Sequence, residues 1–242
     1  MIEAYITNLG KYVEGELRGE RLSFPTTKEE VQALLSRIDV DGVRYEELFI
    51  TDYDHNLAGI QNLGEYESID ELNYLASLLE DMDKWDLEKF EAAAVYGDHS
   101  ESVQDLINLA QNLECYEYYP GVESYDGLGR YLIDELGYEE IPEQLEKYFD
   151  YESYAEAYVI NEGGEFLESG FVFRNSVGFQ EHYSGRDDLP DEHRIFAFPA
   201  SEPQKECKPS IQKTIQALNK QIAQVQRDTP TLGRSQPVHG DR

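Results

Sequence analysis

The sequence predicts an α+β protein: a small α/β unit over residues 1–62, a helical acidic unit over 63–113, a mixed α/β unit over 114–185 and a flexible tail over 186–242. Three observations carry this. Polar–apolar alternation at period two marks strands in the first and third units. Helix caps followed by apolar residues three and four apart mark the helices. Near residue 190 the charge balance reverses: residues 191–242 hold eight bases, six acids and five of the nine prolines.

In the first unit, Glu3–Ile6 alternates like a strand, and Asn8-Leu9-Gly10 turns it. Leu22–Phe24 forms a second strand that stops at Pro25. Thr27 caps a helix, with Glu30 completing a capping box, and Val31, Leu34, Leu35 and Ile38 give that helix one apolar face. Asp39–Gly42 turns the chain into a third strand over Glu47–Tyr53.

The second unit opens on another capping box, Ser68-Ile69-Asp70-Glu71, and Ile69, Leu72, Leu75, Ala76 and Leu79 follow at helical spacing. A helix over Lys84–Tyr96 turns Trp85, Phe90 and Ala94 inward. The next starts near Ser100 or Ser102 and buries Val103, Leu106, Ile107 and Ala110. In the third unit a helix ends at Leu136, with Gly137 after it to reverse the chain. Pro142 suits the first turn of a helix burying Leu145, Tyr148 and Phe149. Phe166–Phe173 and Gly178–Tyr183 are expected as closing strands. In the tail, Ile211, Ile215, Leu218, Ile222 and Val225 are spaced 4, 3, 4, 3, the seam of a short amphipathic helix near 210–227.

Charge narrows the function. Residues 45–170 hold 33 acids and four bases (Lys84, Lys89, Arg130, Lys147), a net of −29 within a chain of net −30. The windows 45–83, 90–129 and 148–173 contain no Lys or Arg at all. Self-repulsion on this scale destabilises a compact fold. Yet the chain is 40% hydrophobic and 12% aromatic, unlike disordered acidic tails. No stretch approaches the ~20 apolar residues of a membrane span. The opening MIEAYITNLG lacks the basic start and apolar run of a secretory leader. The two cysteines, Cys115 and Cys207, form no disulfide framework and suit a reducing cytosol. A surface this negative is repelled by nucleic acid and anionic membranes, so neither is an expected partner. It fits a basic surface of the kind that holds DNA.

Catalytic and metal chemistry find little support. Asp52-Tyr53-Asp54-His55-Asn56 opens like a calcium loop, but Leu57 and Leu63 stand where Gly and Glu are needed. With 50 acids in the chain, some pair will lie at hydrolase distance by chance. The five histidines show no metal spacing, and no phosphate loop or nucleophile elbow is present. No cofactor, metal or catalytic residue is therefore expected. Carboxylates do align: Glu139, Glu143, Glu146 and Asp150 at spacings 4, 3, 4, and Glu101 with Asp105. Stability alone would intersperse lysines. Residues 1–190 carry a net −32 (12 bases, 44 acids), the charge of roughly 54 Å, or about 16 base pairs, of duplex DNA. That points to a polyanion mimic. Its target would be a basic DNA-binding protein, an enzyme with a long basic channel rather than a small repressor, and a less favoured alternative is an acidic cation-binding protein.

The segments Ala4-Tyr5-Ile6-Thr7-Asn8-Leu9-Gly10-Lys11-Tyr12-Val13-Glu14-Gly15, Phe24-Pro25, Ile50–Asp54, Gly64–Asn73 and Glu135–Gly137 through Tyr148–Ala155 resemble the ArdA antirestriction proteins over about residues 1–185. The tail after about 190 departs from that pattern. The resemblance implies an elongated dimer of three small domains, joined through the third. It implies a mimic of bent B-form DNA that occupies the DNA channel of type I restriction-modification enzymes, on their specificity and methyltransferase subunits. Such proteins travel on mobile elements, act in the cytoplasm and are not enzymes. Carried onto this chain, the partner-binding positions are Asp52, Asp54, Glu65, Glu67, Asp70 and Glu71. Charge patterning adds Asp81, Asp83, Glu101, Asp105, Glu143, Glu146 and Asp150. Tyr148, Phe149, Tyr151 and Tyr154 are candidates for packing or for the homodimer contact.

Overall fold

A computed structural model describes residues 2–61 and 63–199. The helix expected near 210–227 lies outside them. The described chain mixes helices with two three-stranded antiparallel sheets, an α+β arrangement.

The first sheet has the order β2-β1-β3, from β1 (Ile2–Asn8), β2 (Gly19–Phe24) and β3 (Leu48–His55). Alternation works as expected: Ile2, Ala4, Ile6, Leu22 and Phe24 face the core, while Glu3, Tyr5, Arg21 and Ser23 share the other face. The β1–β3 register slips at Thr51, so Ile6 pairs with Ile50 but Tyr5 pairs with Asp52. A one-residue slip moves the following side chains to the opposite face. Ile50 is thereby buried, and Asp52 and Asp54 join Glu3 outside. Asn8 does not simply turn the chain. Its side chain caps α1 (Leu9–Val13) at the Lys11 N–H, and its amide donates to the Ile38 and Asp39 carbonyls.

Thr27, Ser68 and Ser102 cap α2 (Lys28–Arg37), α3 (Ile69–Glu80) and α5 (Val103–Ala110), each accepting the N–H three residues on. Asp83 does the same for α4 (Lys84–Tyr96). One hydrophobic cluster runs from Phe24 on the sheet through Leu35 and Leu72 to Phe90 and Ile107. The buried Asn73 on α3 accepts the Thr26 N–H at 2.7 Å, tying the start of α2 to α3. Phe90 and Ala94 point inward as expected. Trp85 does not: it sits in the first turn of α4, 48% exposed, its ring tilted against that of Tyr118 with centroids 6.3 Å apart.

The second sheet, β4-β6-β5, is built from β4 (Tyr116–Pro120), β5 (Glu165–Leu167) and β6 (Gly170–Arg174). It carries a separate aromatic cluster around Tyr119, Phe171 and Phe173. α6 (Tyr125–Arg130) continues through a π-helical turn, Tyr131–Glu135, and Gly137 (φ 66°) reverses the chain. The helix after Pro142 is a single turn, α7 (Glu143–Glu146). Leu145 and Tyr148 are therefore exposed rather than buried. The longer helix is α8 (Tyr151–Glu162), capped by Asp150 and packed on α6 at Gly129.

Two further expectations are corrected beyond β6. Gly178–Tyr183 is not a strand. It is pinned by side chains of α5 and its C-terminal end: Asn108 Oδ1 accepts the His182 and Tyr183 N–H groups, and Asn112 Oδ1 accepts that of Gln180. The folded body also extends past residue 186. Leu189 and Ile195 are buried, and the Phe198 carbonyl accepts from Gln32 on α2.

Candidate partner-binding surface

The expected acidic residues fall into four groups. The first lies on the outer face of β3. Asp52 and Asp54, both largely exposed, flank Arg21, whose guanidinium also reaches Glu3; the three carboxylates lie 3.5–3.8 Å from it. These exposed pairs contribute little to stability, and three acids around one cation leave a net negative face.

The second group splits. Glu65 is exposed, and Glu67 accepts the Gly64 N–H, which shapes the loop before α3. Asp70 and Glu71 turn inward instead. Asp70 Oδ1 accepts the Ile195 and Phe196 N–H groups at 2.8 and 2.6 Å. Glu71 is 6% exposed and accepts the Tyr183 hydroxyl and Arg186 Nε, both at 2.9 Å. A carboxylate in that position is committed internally, so Glu71 leaves the set of surface acids and Asp70 is half-covered. Glu71 sits at the capping-box position, but its side chain follows the buried partner rather than the helix end.

The third group surrounds the helical elements. Glu80 ends α3 and Asp81 caps its C-terminus, where the helix dipole is negative and no base offsets it. Asp83 caps α4, Glu101 is exposed, and Asp105 accepts the Ser102 hydroxyl in the first turn of α5. The fourth group does not form the single stripe expected from spacing. Glu143 and Glu146 stand exposed on α7, whereas Asp150 belongs to the next helix. Hydrogen bonds from the Ser153 backbone and hydroxyl hold the Asp150 carboxyl below its usual range.

Cations are distributed unevenly. Lys11, Arg18, Arg21, Arg37 and Arg44 all pair with acids within residues 1–54. Among the described residues, Glu65, Glu67, Asp81, Asp83, Glu101, Asp105, Glu143, Glu146 and Asp150 have no Lys, Arg or His within salt-bridge distance. Glu152, Glu156 and Glu162 on α8, all exposed, lie outside the carboxylates that their spacing in sequence singles out. The Asp150–Ser153 pair could have signalled that helix.

The aromatic candidates separate by burial. Tyr148 is 75% exposed with Lys147 over its ring. Phe149 packs on Tyr151 and Tyr154. Tyr151 is buried, its ring under the Arg130 guanidinium and its hydroxyl 3.4 Å from Asp134. Leu136, Tyr138, Leu145 and Ile160 are also exposed in this part of the chain.

Among the described residues, no group of three His, Cys, Asp or Glu is placed to hold a metal ion, and no helix is long and apolar enough to cross a membrane. The family model for antirestriction protein (ArdA) matches residues 4–173, from β1 to the end of β6. No curated protein matches the chain.

Proposed function

The chain belongs to the ArdA family of antirestriction proteins, a family of inhibitors that act on restriction enzymes, and from that premise we propose that it blocks type I restriction-modification enzymes by mimicking DNA. It does so as a cytoplasmic homodimer. The exposed carboxylates occupy the basic channel on the specificity and methyltransferase subunits that otherwise grips duplex DNA.

The observation that carries this reading is the arrangement of charge. Residues 45–170 are net −29; on β3, Asp52 and Asp54 outnumber the one Arg21 they share with Glu3, and the acids at the ends of α3 and α4 and on α7 named above have no base within salt-bridge distance among the described residues. Neutralising a channel that releases counterions from DNA gives such a surface the same salt-dependent gain. Asp52, Asp54, Glu65, Glu67, Asp81, Asp83, Glu101, Asp105, Glu143, Glu146 and Asp150 supply charge collectively. Tyr148 and Phe149, beside exposed Leu145, are the proposed dimer contact, with Tyr151 and Tyr154 supporting them from within.

The test is a cleavage assay. Type I enzyme, unmodified target DNA and ATP are mixed with increasing amounts of the protein. Inhibition that is complete near one dimer per enzyme supports the reading. Full cleavage at a large excess of protein at low salt contradicts it.

A further inference from the structure

The part of the fold around the second sheet holds a cleft of about 510 Å³ lined by Tyr119, Tyr138, Tyr158, Phe173, Glu117 and Glu162, among others. We propose that this cleft receives an arginine side chain of the protein partner, as a discrete anchor within an otherwise diffuse electrostatic contact. The proposal rests on the functional reading above for the identity of that partner.

Three features point to a cation of this shape. The rings line the cleft as tilted walls rather than one stack: Tyr138–Tyr158 centroids are 5.9 Å apart at 59°, and Tyr158–Phe173 5.9 Å at 85°. Aromatic walls attract cations, and a planar guanidinium can both lie against a ring and pair with a carboxylate. Second, two carboxylates lie at the cleft, Glu117 on β4 and Glu162 at the end of α8, and neither has a salt-bridge partner among the described residues. Third, α8 ends here with Glu162 and without a base in its last turn, so the negative pole of a 12-residue helix adds to the charge. Tyr119 is 94% buried, its ring 5.8 Å from that of Phe173. Burial holds Tyr119 and Tyr158 well above the usual phenol range. The negative charge at this cleft therefore comes from the two glutamates.

The experiment uses the full chain and N-acetylargininamide as the probe, followed in aromatic carbon–proton spectra at constant ionic strength. Saturable shifts confined to Tyr138, Tyr158 and Phe173, weakened about fivefold or more in Tyr138→Leu and in Glu162→Gln, are expected. Shifts that never saturate, or that Tyr138→Leu leaves unchanged, overturn the proposal. Tyr138 is half-exposed, so its replacement spares the core; the spectrum of Glu162→Gln checks the fold independently. A second arm measures binding to the type I methyltransferase. Tyr138→Leu, which removes no charge, should weaken it more than the exposed neutralisation Glu143→Gln; equal or smaller loss overturns the anchor. If the rings saturate with the probe but wild-type protein does not bind the enzyme, the functional reading fails and the cleft remains an arginine site.

Discussion

Glu71 and Tyr183, 112 positions apart, meet in a buried hydrogen bond of 2.9 Å. The second carboxylate oxygen holds Arg186. This contact fastens the segment after β6 onto α3, next to the backbone bonds that Asp70 and Asn108 make. Glu71→Ala strands the Tyr183 hydroxyl without its acceptor and should cost roughly 1–3 kcal/mol. Inhibition per folded molecule should stay at the wild-type level. Urea unfolding and a restriction assay below the transition check both halves. Unchanged stability, or lost inhibition with the fold intact, contradicts the internal role.

Gly129 shows how closely two helices approach. A Cβ there would lie 2.0 Å from the Tyr151 carbonyl oxygen, whereas at Gly127 the nearest neighbour is the Ser124 hydroxyl at 3.2 Å. Gly129→Ala must push α8 off α6 and should destabilise by about 1–3 kcal/mol. Gly127→Ala should stay within about 1 kcal/mol of wild type, since alanine favours the helix. Thermal unfolding of the pair separates local packing from general helix propensity.

His99 stacks on Phe179 at 3.6 Å, and burial, with Arg174 nearby, lowers its pKa. The unfolded chain then binds the proton more tightly than the folded one. The contribution is present above the ordinary histidine value of about 6.5 and is lost as pH falls from there toward the depressed folded value. His99→Phe keeps a ring on Phe179 and should flatten the loss of stability below about pH 6.5 relative to wild type. Parallel pH profiles for the two proteins would contradict this.

Salt should act in opposite directions on stability and on binding. Screening relieves repulsion among the unpaired acids, so melting temperature should rise between low and moderate ionic strength. A falling melting temperature contradicts the account of the charge. Because the charge is spread, a single exposed Glu143→Gln or Asp83→Asn should change inhibition only slightly, whereas neutralising several together should weaken it in proportion.

Local signals were readable wherever neighbours in sequence decide the structure. Thr27, Ser68 and Ser102 cap the helices expected of them, and the α4 bounds follow from the run Lys84–Tyr96. The acidic character was readable because charge needs no fold to be counted. Long-range choices were not. The slip at Thr51 that turns Asp52 outward depends on pairing with β1. The inward turn of Glu71 depends on Tyr183, and the docking of residues 180–183 depends on Asn108 and Asn112. Those asparagines, four apart at the end of an otherwise apolar stretch, were the available hint. α8 was hidden because its tyrosines and alanines give no sharp apolar stripe.

The most direct measurement is a competition titration. A type I methyltransferase is bound to a labelled duplex, and the protein is added at several salt concentrations. The account predicts displacement near one dimer per enzyme, with log affinity falling linearly as log salt rises. Absence of displacement at low salt, or displacement that salt does not weaken, would contradict DNA mimicry.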